Sequence, residues 1–145
     1  MRLITSQEVN KLIECIQALS EYHNEVSTYF KGSFPSRPYA QTLSLFEESV
    51  LCGSSQIAVI EDGDRIIGFC KIDITGTTGK LDYLIILQEY RGCGYGKKFM
   101  DWAMGTFEKN NVDQIEVKVI DGNTAVHLYE SYGFHMHSHI MKINR

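Results

Sequence analysis

The amino-acid sequence predicts a mixed α/β fold in a single domain, a central sheet flanked by helices. Three observations carry this. The apolar period is helical up to Gly53 and becomes strand-like from Gln56 onward. Short apolar runs then alternate with amphipathic stripes, the order of a sheet with crossover helices. A glycine-rich turn, Arg91 to Gly96, joins the strongest apolar run to the next stripe.

The elements follow in chain order. Thr5 or Ser6 has the chemistry of a helix N-cap, with Glu8 three residues after Thr5 in capping-box position. Val9, Leu12, Ile13, Ile16 and Leu19 continue as a helical stripe, and this first helix is expected to run into the Tyr22 to Tyr29 segment. Gly32, Pro35 and Pro38 mark a loop. Tyr39, Leu43, Phe46 and Val50 predict a second amphipathic helix that stops near Gly53. Gln56 to Glu61 reads as a strand, Asp62-Gly63-Asp64 as a hairpin turn, and Arg65 to Thr75 as the returning strand. Gly76 to Gly79 is a further turn. Leu81 to Leu87 is almost continuously apolar, which predicts a central strand buried on both faces. A helix from about Tyr95 to Asn110 carries Phe99, Ala103 and Phe107 on its core stripe. Ile115, Val117 and Val119 alternate with charged residues, the pattern of a half-buried strand. Ala125, Leu128, Tyr129 and Tyr132 share one face of a last helix, with Gly133 as its C′ residue. Phe134 to Ile143 is predicted as a final strand.

Composition narrows the function classes. A chain of 145 residues with 43% hydrophobic and 22% charged residues suits one globular core. A net charge of −4 supplies no basic field for a nucleic-acid backbone. No apolar run approaches a membrane span, and Met1-Arg2-Leu3-Ile4 opens no signal-peptide core. Cys15, Cys52, Cys70 and Cys93 are scattered without a CxxC pair, the usage expected in a reducing cytoplasm. His135, His137 and His139 fall on one face of the last predicted strand, but no carboxylate or cysteine completes a metal set, so no metal is expected.

The turn Arg91-Gly92-Cys93-Gly94-Tyr95-Gly96 has the chemistry of an anion site. Glycines let backbone N–H groups curl around phosphate oxygens, and the following helix adds its positive end. Arg91, Lys97 and Lys98 add full charges, so a pyrophosphate is the natural occupant. A dinucleotide fingerprint would need its third glycine at Lys97, and a P-loop would need Ser or Thr at Lys98.

This turn matches the [RQ]xxGx[GA] signature of the GNAT superfamily of N-acetyltransferases. Ala125-Val126-His127-Leu128-Tyr129-Glu130-Ser131-Tyr132-Gly133-Phe134 resembles the same family's A-I-x-L-Y-E-x-x-G-F segment. The resemblance covers residues 56–145 well and the helical N-terminal third only in type. It implies a mixed, mostly antiparallel sheet. Residues 1–53 would form a helical acceptor-side region, and residues 56–145 an acetyl-CoA-binding core.

The resemblance also implies site roles. Arg91, Gly92, Cys93, Gly94, Tyr95, Gly96 and Lys97 would receive the pyrophosphate of acetyl-CoA. A splay beside the strand before the turn would admit the pantetheine arm along the backbone of Leu84, Ile85 and Ile86, with the Ile86 N–H polarising the thioester carbonyl. Tyr129 would protonate the departing thiolate, with Tyr132 in reserve. Asp82 is the leading base, against Asp73, Glu116, His23 and Glu25, because the attacking amine must be neutral and an unperturbed lysine titrates at about 10.4. Asn123, one place nearer the tyrosine than the family's usual asparagine, is a further cofactor contact or simply a helix N-cap.

The acceptor is then a small-molecule or peptide amine. Tyr22, His23, Glu25, Tyr29, Phe30, Phe34 and Tyr39 crowd the region expected to receive it. A non-catalytic CoA-binding sensor or interaction module is the alternative, and the intact Tyr129 argues against it. The sequence leaves a homodimer open.

Overall fold

The computed structural model describes all 145 residues. A two-residue strand, β1 (Arg2–Leu3), precedes a 3-10 helix over Ser6–Leu12 and helix α1 (Ile13–Val26). The Thr5 N–H donates to Glu8 Oε1 at 3.2 Å, so the acidic residue three positions on satisfies one of the amides a helix start leaves over. Helix α2 (Tyr39–Leu51) follows, then an antiparallel meander of β2 (Ser55–Asp62), β3 (Arg65–Thr75) and β4 (Thr78–Ile86). Helix α3 (Tyr95–Lys109), β5 (Gln114–Val117) and α4 (Ala125–Ser131) complete the order.

The five strands lie in the order β1-β2-β3-β4-β5. Every pairing is antiparallel except β4 with β5, where α3 provides the crossover that a parallel pair needs. On one face, Phe46 of α2 meets Phe69 and Tyr83 edge-on, with centroids 6.2 and 4.9 Å apart. On the other, α3 buries Phe99, Met100, Ala103 and Phe107. Gly79 permits this packing, because a Cβ there would stand 2.7 Å from the Phe107 ring. Burying these side chains contributes roughly 1.5–3 kcal/mol each.

Asp82 is an extra residue on β4, between the pairs Ile72–Leu81 and Lys71–Tyr83. A bulge breaks the in–out alternation and re-aims side chains. Here it turns Asp82 toward the α2 face, where Lys71 also points.

Several expectations are corrected. Residues 134–145 form no strand. A strand needs a hydrogen-bonding partner as well as an alternating pattern, and only Phe134 of this tail packs inward, edge-on against Tyr129. Strand β1 is an element the sequence does not announce, because two residues carry no period and only their pairing with Ala58 and Val59 reveals them. The first helix opens as a 3-10 segment and ends at Val26, since Ser27 is extended. The turn before β4 is Gly76-Thr77 alone; Gly79 lies inside the strand. β4 is not buried on both faces throughout: Leu81 and Ile85 are, whereas Tyr83, Leu84 and Ile86 are half-buried. β5 stops at Val117, short of Val119.

Candidate active site

The glycine turn leaves its backbone unoccupied by the chain. Gly92 and Gly94 have φ of 79° and 84°, and a Cβ at either would meet nothing within 4 Å. Gly94 is the N-cap of α3, and the left-handed conformation it adopts is costly for any residue with a side chain. The first backbone N–H to bond within α3 is Lys98, to the Gly94 carbonyl at 3.2 Å. The N–H groups of residues 92 through 97 donate to no acceptor in the chain. Consecutive free amides at the positive end of a helix are the requirement for holding a phosphate pair. Arg91, Lys97 and Lys98 are exposed around them, and Lys97 is within 3.1 Å of Asp101.

The edge of β4 is open beside this cradle. β5 pairs with Thr78 through Leu81 only, while β3 pairs with β4 as far as Ile86. The Leu87 N–H donates to Ile67 across β3, so alternation turns the backbone of Ile85 toward β3 and that of Leu84 and Ile86 toward the open side. Ile86 already uses its carbonyl there, accepting Arg91 Nε at 3.0 Å. Of the three positions named from sequence, Leu84 and Ile86 offer backbone groups to the gap; Ile85 contributes a buried side chain instead.

Tyr129 of α4 is 6% exposed and packs on Phe134. Burial, reinforced by the Cys70 thiol nearby, pushes its phenol well above the usual value, so it is protonated at neutral pH. No group of the chain hydrogen-bonds its hydroxyl, and no fully enclosed polar side-chain atom lacks a partner, so this hydroxyl reaches solvent-accessible space. Tyr132 is different. Its hydroxyl donates to Asp101 at 2.5 Å and it is half exposed, committed to α3 rather than to the gap.

Residues 53–136 match the acetyltransferase (GNAT) domain model, more than half of the chain. The chain belongs to the GNAT acetyltransferase family. Two relatives are similar in sequence. One is the [ribosomal protein bS18]-alanine N-acetyltransferase of Haemophilus influenzae, 30% identical over 73 residues, covering 50% of each chain. The other is N-alpha-acetyltransferase 30 of Schizosaccharomyces pombe, 34% identical over 79 residues, covering 50% of this chain and 53% of that one. The chain thus spans about half the length of the relatives it matches. In fold it is similar to the PaiA N-acetyltransferase of Thermoplasma acidophilum in complex with coenzyme A, with a TM-score of 0.76 and 18% identity over 94% of this chain and 89% of that one.

In this member of the GNAT acetyltransferase family Asp82 has a partner that sequence reasoning missed. Lys71 on β3, its side chain 5% exposed, lies 2.7 Å from Asp82 Oδ2 and 2.6 Å from Asp73 Oδ1. Its ammonium also stands 5.0 Å over the Phe46 ring, and Ser55 Oγ donates to Asp73 at 2.5 Å. A buried lysine persists only when paired. The available signal was two opposite charges two residues apart, Lys71 and Asp73, inside the apolar run Ile66 to Ile74. Glu116, another base candidate, is exposed on β5.

Asn123 is engaged at both ends. Its Oδ1 accepts the Ala125 N–H at 2.9 Å, which is helix-start capping, and its Nδ2 lies 3.0 Å from His23 Nε2. With Oδ1 occupied as acceptor, Nδ2 is the donor, so His23 Nε2 accepts and its proton sits on Nδ1. Burial holds His23 below the usual 6.5, consistent with a neutral ring. No group of three His, Cys, Asp or Glu side chains is placed to hold a metal ion. No helix is long and apolar enough to cross a membrane.

Proposed function

We propose that this GNAT acetyltransferase moves an acetyl group from acetyl-CoA to a primary amine by direct attack. The observation that carries the reading is the run of unpaired backbone N–H groups at residues 92–97, beside the open edge of β4. Such amides fit a pyrophosphate, and the gap beyond Leu81 fits an extended arm that pairs as an added strand would. Arg91, Gly92, Cys93, Gly94, Tyr95, Gly96 and Lys97 would hold the diphosphate, and the backbone of Leu84 and Ile86 the arm. Asn123 would join the set through the second Nδ2 hydrogen, which the His23 bond leaves free. Acetyl-CoA supplies the activated acyl group.

The chain's own groups do the rest. The Ile86 N–H faces the gap and can donate to a carbonyl oxygen as it gains charge. Tyr129, kept protonated by burial, delivers a proton to the thiolate. Asp82 receives the amine proton through water, and Lys71 fixes its carboxylate. Residues 1–53 form the acceptor side and residues 56–145 the cofactor side. The acceptors that the relatives' names give, a ribosomal protein alanine and N-alpha amines, support a peptide N-terminus as the first acceptor to try.

The test is free-thiol release from acetyl-CoA over a panel of amines and short peptides. Thermal shifts with acetyl-CoA, ATP and NAD run beside it, since a ligand selective for the native state raises its stability by mass action. Selective stabilisation with turnover supports the reading. Binding without turnover for every amine favours a sensor, and no preference for acetyl-CoA overturns the assignment.

A further inference from the structure

The gap between β4 and β5 has two walls, and beyond Leu81 no strand pairing joins them. The β4 wall continues into Arg91; the β5 wall continues into the 121–124 turn and α4. Both are touched by the last turn of α1. A Cβ on Gly122 would stand 2.4 Å from the Val26 carbonyl oxygen, so the turn lies directly against the helix end. Tyr22 reaches both walls with one side chain. Its ring lies beneath the Arg91 guanidinium, 4.9 Å from centroid to Cζ. Its hydroxyl oxygen accepts the Thr124 N–H at 3.2 Å and lies 3.2 Å from Thr124 Oγ1.

Each contact has a chemical consequence. The guanidinium is held between the ring face and the Ile86 carbonyl, which fixes a flexible cation beside the free amides of residues 92–97. Thr124 is the N-cap of α4, where backbone amides lack intrahelical partners; the phenol supplies one, five residues before Tyr129.

We propose that Tyr22 is a positioning residue with two separable roles: its ring presents Arg91 to the diphosphate, and its hydroxyl sets α4 and therefore Tyr129. The proposal rests on the acetyl-CoA reading above. It makes the acceptor-side helix a determinant of cofactor affinity, by contacts that cross the gap rather than through the sheet.

The test measures coenzyme A binding by titration calorimetry and thiol release by kinetics, with melting temperature as a check on folding. The variants are Tyr22→Phe, Tyr22→Leu, Arg91→Gln and the Tyr22→Leu/Arg91→Gln double variant. Tyr22→Phe keeps the ring, so the Kd for coenzyme A is expected within about twofold of wild type. Its kcat should fall by roughly two- to tenfold, the range of one lost neutral hydrogen bond. Tyr22→Leu should lower kcat likewise and also weaken coenzyme A about two- to fivefold, the range of a surface cation–π contact. In the Arg91→Gln background the same Leu substitution should leave the Kd unchanged. Equal weakening in both backgrounds, or an unaltered Kd in Tyr22→Leu, overturns the coupling to Arg91. An unaltered kcat in Tyr22→Phe overturns the role toward α4. Failure of the wild-type protein to bind coenzyme A overturns the parent reading, and this one with it.

Discussion

The buried charge cluster of Lys71, Asp73 and Asp82 yields a prediction about non-additivity. Lys71 has two carboxylates at 2.6 and 2.7 Å, and its side chain is 5% exposed, whereas the aspartates are 28% and 20% exposed. Removing one carboxylate leaves the ammonium with the other. Asp82→Asn or Asp73→Asn should therefore cost about 1.5 kcal/mol, the low end for a lost hydrogen bond to a charged group. Removing both leaves an ammonium enclosed without a counter-charge, for which about 3–5 kcal/mol is typical. If each single change costs ~1.5 and the double ~5, the coupling is roughly 2 kcal/mol, within the range for residues that share one partner. Lys71→Met should be milder than the double change. It removes the buried cation, keeps a chain over Phe46, and strands only carboxylates that water still reaches. Urea unfolding of the four variants measures this, with a common m-value as the check that the denatured state is unchanged. Additive costs, or a Lys71→Met variant less stable than the double aspartate variant, would refute the argument that the lysine is the group needing compensation. The same variants bear on catalysis: loss of thiol release in Asp82→Asn but not in Asp73→Asn would favour Asp82 as the base.

Other expectations follow from single contacts. Tyr129→Phe keeps the packing on Phe134 and should lower kcat by about 10²–10⁴-fold with little change in the KM for acetyl-CoA; an unaffected kcat removes Tyr129 as the acid. Gly122→Ala combines φ of 90° with a 2.4 Å approach to Val26 and should cost about 2 kcal/mol or more in urea unfolding, while Gly53→Ala, with similar φ but open space, should cost about 1–2 kcal/mol. His23 is held below its usual 6.5 by burial, so the unfolded chain binds its proton first as pH falls. Stability from this group is complete above about 6.5 and declines as pH drops toward the folded value, and His23→Gln should flatten the stability profile in that window. Glu8 is lowered to about 2, first by its hydrogen bond from Arg2 and then by the Thr5 N–H. Its contribution is present above about 4.5 and lost as pH falls through about 2, so wild type and Glu8→Gln should converge in acid.

Local chemistry determined a great deal from the sequence alone. A glycine turn between an apolar run and a helical stripe could be read as an anion cradle because backbone freedom and the helix-start amides are properties of a few consecutive residues. The helices around Phe46, Phe107 and Tyr129 were legible because a 3.6-residue period survives in any one window of sequence. What the sequence could not reveal depended on residues far apart in the chain. The tail from Phe134 has a strand pattern but no partner edge, and pairing is decided between segments. Lys71 and Asp82 meet because a bulge turns one β4 residue out of alternation, which no periodicity records. Tyr22 and Thr124 are 102 positions apart, and only the fold brings α1 across the gap between β4 and β5. Side-chain type and spacing announce what a segment can do by itself. Which groups share a site is settled by register, crossover and packing, and these exist only once the chain has folded.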